Sequence, residues 1–129
     1  MNNFSKYIKI NKESWNERTK IHIKSSFYNN NDFKKHINSL NSIELNQLNN
    51  IQNKKLLHLQ CHFGQDSISL AKLGAKVTAV DFSNIAIKNA KKLANELNIN
   101  VTFIEKNILS LNLNEEFDVI FSSYGVLGW

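Results

Sequence analysis

The pattern of apolar and polar positions changes character near residue 54. Before it, Trp15, Arg18, His22 and Ser25 recur at steps of 3, 4 and 3, which predicts one shared helix face. A second short amphipathic helix is predicted in SIELNQLNN, built on Ile43, Leu45 and Leu48. Loops are centred on Asn29 to Asp32 and on Asn49 to Asn53. Beyond residue 54, short apolar runs alternate with helical periods. Leu56-Leu57-His58-Leu59 reads as a strand, and DSISLAKLG as a helix closed by Gly74, which suits the left-handed position past a helix end. Lys76 to Val80 is a strand rich in β-branched residues. Ser83 stands where it caps a helix whose Ile87, Ala90, Ala94 and Leu97 line one face. Val101 to Ile104 and Phe117 to Phe121 are two further strands.

Helices between strands act as crossovers, which return the chain parallel to the previous strand with right-handed geometry. The expected fold class is therefore α/β, a Rossmann-like parallel sheet with flanking helices over residues 54–129, preceded by a helical leader over residues 1–53. Near-continuous apolar strands such as LLHL and VIF fit a sheet covered on both faces. Ligands of open parallel sheets bind beyond the strand C-termini, near the point where strand order reverses. That places the candidate site on the loops after Leu59, Val80, Ile104 and Phe121.

Composition changes this picture little. With 129 residues, 42% hydrophobic and 21% charged, one globular domain is expected. No run approaches the roughly 18 apolar residues of a membrane span, and MNNFSKYIKINKE lacks a signal peptide's apolar stretch, so a cytoplasmic protein is expected. The single Cys61 excludes an internal disulfide and fits a reducing compartment. The net charge of +5 comes from lysines scattered in pairs, without a dense basic block or aromatic ladder, which argues for a solvated surface and against a nucleic-acid interface.

Each loop carries its own chemistry. In Gln60-Cys61-His62-Phe63-Gly64, the glycine is expected where a side chain would obstruct a ligand approaching the backbone, just before a helix N-terminus that favours anionic groups. Asp81 ends the second strand 17 residues after Gly64, where a carboxylate can accept hydrogen bonds from both hydroxyls of a ribose. Asn107 and the amide of Ile108 form a pair able to read an adenine edge. Ser122 and Ser123, followed by Tyr124 and Gly125, put hydroxyls on the same rim. His58, Cys61 and His62 do not amount to a metal site, which needs three or four converging ligands, so no metal is expected.

With these loops in place, LLHLQCHFGQDSISLAKLGAKVTAVDFSNIAIKNAKKLA resembles the opening of class I S-adenosylmethionine (SAM) dependent methyltransferases, in a subgroup whose first motif reads LHLQCHFG. The similarity continues through FIEKNIL and FDVIFSSYGVLGW, and WNERTKIHIKSSFY resembles that subgroup's N-terminal segment. The resemblance implies a methyltransferase that takes SAM as cofactor and leaves the methyl acceptor open. It assigns the turn Gln60, Cys61, His62 and Gly64 to the methionine part of SAM, Asp81 to its ribose and Phe82 to its adenine. Asn107 and Ile108 fall near the adenine amino group, and Ser122 with Ser123 beside the sulfonium. Trp15, Arg18, His22 and Tyr28 become a lid over cofactor or substrate.

Against the broad family pattern, His58 stands where an acid is usual, Gln60 and His62 where glycines are usual, and Asn107 in place of a frequent aspartate. Family members continue through three more strands. The resemblance therefore implies an N-terminal portion, with weak SAM affinity and little turnover alone, and an apolar edge at Val119, Ile120 and Phe121 open to self-association. Two rival readings remain at this stage. A dinucleotide-binding oxidoreductase calls for G-x-G-x-x-G after the first strand, which QCHFGQ does not supply. A catalytically silent interaction module would recruit another chain through the fourth strand.

Overall fold

The computed structural model describes residues 2–123. The leader folds into α1 (Asn3–His22), α2 (Asn30–His36) and α3 (Ser42–Gln47). The sheet region follows as β1 (Lys55–Leu59), α4 (Gln65–Lys72), β2 (Lys76–Asp81), α5 (Asn84–Glu96), β3 (Thr102–Glu105), a 3-10 turn (Ile108–Ser110) and β4 (Val119–Phe121). All strand pairs are parallel, in the order β3-β2-β1-β4. The chain runs outward from β1 through β2 to β3 and then returns to the other side of β1, so the order reverses between β1 and β4.

Register decides what each sheet face holds. Leu56 and His58 pair with Val77 and Ala79 on one side and with Val119 and Phe121 on the other, so these residues share a face. That face joins Ile68 and Leu70 of α4 and Ile87, Ala90, Leu93 and Ala94 of α5 in the core. Right-handed crossovers made in one direction put both helices on this side. The opposite face carries Leu57, Thr78 and Ile120, and Ile120 is 66% exposed. The expected apolar edge thus reduces to one exposed side chain, since Val119 and Phe121 pack against the core.

Local signals behave largely as expected at the helix ends. Ser83 Oγ accepts the Ala86 amide and caps α5. Gly74 takes φ +102° past the end of α4. Three leader expectations are corrected. Asn29 to Asp32 is not a loop: Asn29, at φ 39°, accepts the Asp32 amide through its side chain and starts α2, because an asparagine that favours turns also favours N-caps. Ile43 faces outward, 70% exposed, whereas Glu44 is buried, because its carboxylate reaches back to the Asn41 amide at 3.1 Å. Ser25 lies beyond α1, in a turn where its carbonyl accepts the Asn29 amide. The strands begin or end one or two residues from their expected limits, as hydrogen-bonded ladder ends commonly do. Among the described residues, no helix is long and apolar enough to cross a membrane.

Candidate functional site

The turn after β1 and the end of β2 are tied together at the same edge of the sheet. The His62 amide donates to Asp81 Oδ2 at 2.9 Å, and the Ser83 amide donates to Asp81 Oδ1 at 2.9 Å. Asp81 is buried, and burial pushes its carboxyl above the ordinary range against the opposing pull of the Ser83, His62 and Phe82 amides. The carboxylate offers about four lone-pair sites, more than the three amides occupy. Asp81 therefore braces two loops and still presents acceptor capacity at the strand tip. Phe82 beside it is half-buried.

The first turn is held in an unusual shape. Gln60 and His62 both take φ 55°, and Gly64 takes φ +89° at the start of α4. The Cys61 amide donates to the Val80 carbonyl at 3.0 Å, so the amides of Cys61 and His62 are both engaged within the protein. The Cys61 thiol is buried, and burial first, then Asp81, pushes its pKa up, which makes it an inert packing group. Gly64 is also constrained by the core. A Cβ there would sit 2.8 Å from Phe103 Cζ of β3 and 3.0 Å from Ala90 Cβ of α5, so core packing by itself excludes a side chain at this position.

Leader side chains converge on this turn. His22 Nδ1 lies 2.8 Å from His62 Nε2. The Trp15, Tyr28 and Phe63 rings surround His62 with centroids at 5.5, 5.5 and 4.7 Å, and the Arg18 guanidinium sits 5.3 Å from the Trp15 centroid. Tyr28 also lies 4.9 Å from His22 and 5.1 Å from Phe63. All four lid residues expected from the sequence thus reach one cluster over the first turn. Burial first, then the neighbouring His22, pushes His62 down to about 3. Burial first, then Arg18, lowers His22 as well.

The remaining candidates stand on the same rim. Asn107 Oδ1 accepts the Leu109 amide at 3.0 Å and caps the 3-10 turn that begins at Ile108, which commits that oxygen to the backbone. Ser122 is exposed and Ser123 half-buried just past β4. Tyr124 and Gly125 of that loop lie outside the described residues. His58 points away from the rim, under α4, where its Nδ1 lies 2.6 Å from Ser67 Oγ and its ring is 4.9 Å from Phe121. His58 and His62 thus engage different partners, and among the described residues no group of three or more His, Cys, Asp and Glu could hold a metal ion.

The comparisons with known proteins rest on this sheet. The profile of the family described as "Methyltransferase domain" matches residues 56–129. The chain belongs to that family. The release factor glutamine methyltransferase of Flavobacterium psychrophilum is 41% identical over 80 residues, which are 60% of this chain and 28% of that protein. TehB from Haemophilus influenzae superposes with a TM-score of 0.64 at 25% identity, over 74% of this chain and 34% of that one. The magnesium protoporphyrin IX methyltransferase of Synechocystis PCC 6803, crystallised with bound SAM, shares the fold with a TM-score of 0.56 at 23% identity, over 69% of this chain and 43% of that one. The match thus spans less than half the length of each of these proteins.

Sequence reasoning missed several residues of this methyltransferase domain that secure the leader. Asn16 accepts from Ser83 Oγ at 2.5 Å and donates to Asn84 Oδ1 at 2.9 Å, locking α1 to the start of α5 beside Asp81. Gln65 Nε2 donates to the Tyr28 carbonyl at 2.9 Å, and Ser39 Oγ donates to Asp66 Oδ1 at 2.5 Å. A polar residue one step off the Trp15 face carries no periodic signal, so only the crossing of α1 over α5 reveals Asn16. A broad open depression of about 680 Å³ lies at the opposite sheet edge, by Lys55, Lys76 and Thr102. We place no site there, because ligands of parallel sheets bind at the strand C-termini.

Proposed function

We propose that this methyltransferase domain binds SAM across the C-terminal ends of β1, β2, β3 and β4 and transfers its methyl group to an acceptor. The observation that carries this reading is the 2.9 Å bond from the His62 amide to Asp81, which sets the first turn and the strand-tip carboxylate side by side next to the β1/β4 switch point. Asp81 takes the ribose hydroxyls through its remaining acceptor capacity. The turn from Gln60 to Gly64 faces the methionine part, Phe82 and Asn107 with Ile108 flank the adenine, and Ser122 and Ser123 lie nearest the sulfonium. Residues 1–53 act as the lid and residues 54–129 as the cofactor-binding portion. Bound SAM supplies a methyl group already activated on a sulfonium. The protein's task is then alignment of the acceptor, a positioning effect that can supply about 7–11 kcal/mol.

Calorimetric titration with SAM, S-adenosylhomocysteine and NADH tests the reading: the first two bind and NADH does not. Asp81→Asn removes the charge while keeping the shape, and is expected to weaken SAM binding by about 10- to 100-fold, the worth of about one charge-assisted hydrogen bond. Binding of NADH in place of SAM, or unchanged SAM affinity in a folded Asp81→Asn, would refute the assignment. Acid also separates the roles of Asp81. Because burial raises its carboxyl, SAM affinity falls on acidification before an exposed aspartate would titrate.

A further inference from the structure

The His22–His62 pair is unused by the reading above. The two imidazoles meet at 2.8 Å through His22 Nδ1 and His62 Nε2, one from the lid and one from the turn assigned to the methionine part of SAM. Such a contact between neutral rings requires one donor and one acceptor. If His22 carries its proton on Nδ1 and donates it, then Nε2 of His22 bears a lone pair. Protonation at Nε2 leaves the Nδ1 donor in place and strengthens the bond to His62, as an orienting partner does for a catalytic imidazole.

We propose that His22 is the general base of methyl transfer, oriented by His62, and that the acceptor carries its nucleophile as a proton-bearing hydroxyl or amine on an apolar, ring-sized body. This rests on the SAM-binding reading and deepens it. In the step, the acceptor's lone pair forms the new bond to the methyl carbon, and the carbon–sulfur bond breaks with its electrons left on sulfur. The acceptor's proton passes to His22 Nε2 and from there to solvent. An apolar body fits the surroundings, since Trp15 and Tyr28 flank His22 with centroids at 6.3 and 4.9 Å, and the neighbouring Phe27 is 88% exposed.

His62 is the weaker candidate for the base. At about 3 it cannot hold a proton near neutral pH, and its Nε2 is already engaged. The groups facing the pair are Arg18 on α1, which lowers His22, and Tyr28 after α1, behind which stands Asp66 of α4, which raises Tyr28. Burial and then Arg18 shift His22 toward its neutral, proton-accepting form.

The test combines spectroscopy with turnover. Imidazole ¹⁵N spectra at neutral pH should show His22 protonated at Nδ1 and bare at Nε2, and His62→Ala should abolish that preference. With methyl-labelled SAM, catechol as a proton-bearing probe and thioanisole as a proton-free one, His22→Gln should lose about 100-fold or more in kcat on catechol. Its loss on thioanisole should be far smaller than its loss on catechol, and added imidazole should restore part of the catechol rate to His22→Ala. The opposite tautomer at His22, or a catechol rate in His22→Gln equal to that of the wild type, would each overturn the base assignment. A wild type that does not bind SAM defeats the underlying function reading instead, and calorimetry shows which has failed.

Discussion

Gly64→Ala is expected to destabilise the protein by about 2–5 kcal/mol. A left-handed backbone costs an L-residue about 1–2 kcal/mol, and forcing an extra carbon into a packed core adds about 1–3. Both terms apply at φ +89°, with Phe103 Cζ at 2.8 Å and Ala90 Cβ at 3.0 Å from the added atom. Phe103 is buried and spans β3 to α5, so its ring cannot swing into solvent. Denaturant titration gives the cost directly. Combining Gly64→Ala with Phe103→Leu should recover the packing part but not the backbone part, a coupling that a double-mutant cycle reads out. The same substitution shifts the turn that carries the His62 amide, so SAM affinity should fall along with stability. An unchanged unfolding midpoint would show that the turn is looser than the contacts around it imply.

The second large effect is loss of stability in mild acid. His58 is fully enclosed beneath α4, and burial pushes its pKa from 6.5 down to about 4. A base whose folded pKa is depressed contributes stability that is complete above its unfolded pKa. That stability is lost as the pH falls from about 6.5 toward 4, because the unfolded chain takes up the proton first. The difference between those values corresponds to about 3 kcal/mol, a large fraction of the margin of a small domain. His62 moves in the same direction and adds to the loss. Asp66 and Asp81 act oppositely, since burial raises their carboxyls and protonation relieves that cost in the folded state. Melting temperature followed from pH 7.5 to 4 should therefore fall steeply below pH 6.5. His58→Asn, which keeps a hydrogen-bonding end for Ser67 Oγ, should flatten that slope. An equal slope in the variant would move the acid sensitivity elsewhere.

The two predictions concern residues that look alike in sequence and differ in space. His58 and His62 lie four positions apart on either side of Cys61. One is a core imidazole bonded to a serine, and the other is the centre of an aromatic cluster that joins the leader to the sheet. Strand alternation places His58 on the face with Leu56, but nothing in the local sequence says that the turn carrying His62 adopts φ 55° and presents its ring to α1. Gly64 is similar. Its place between a strand and a helix was legible, while the reason only glycine fits lies in a phenylalanine 39 residues later, brought over by the β2–β3 pairing.

By itself the sequence determined the alternation of strands and helices, the parallel sheet, the cap at Ser83, the stop at Gly74 and the acid at the tip of β2. All of these follow from periodicity and from the backbone preferences of single residues, which act over a few positions. Tertiary structure alone decided that Asp81 braces the first turn, that Asn16 ties α1 to α5, that Glu44 turns inward while Ile43 turns out, and that His22 meets His62. Each of these is a contact between segments far apart in the chain, or a side chain's choice between two faces. Such choices are set by which neighbour satisfies a buried polar group, and that neighbour is known only once the chain has folded.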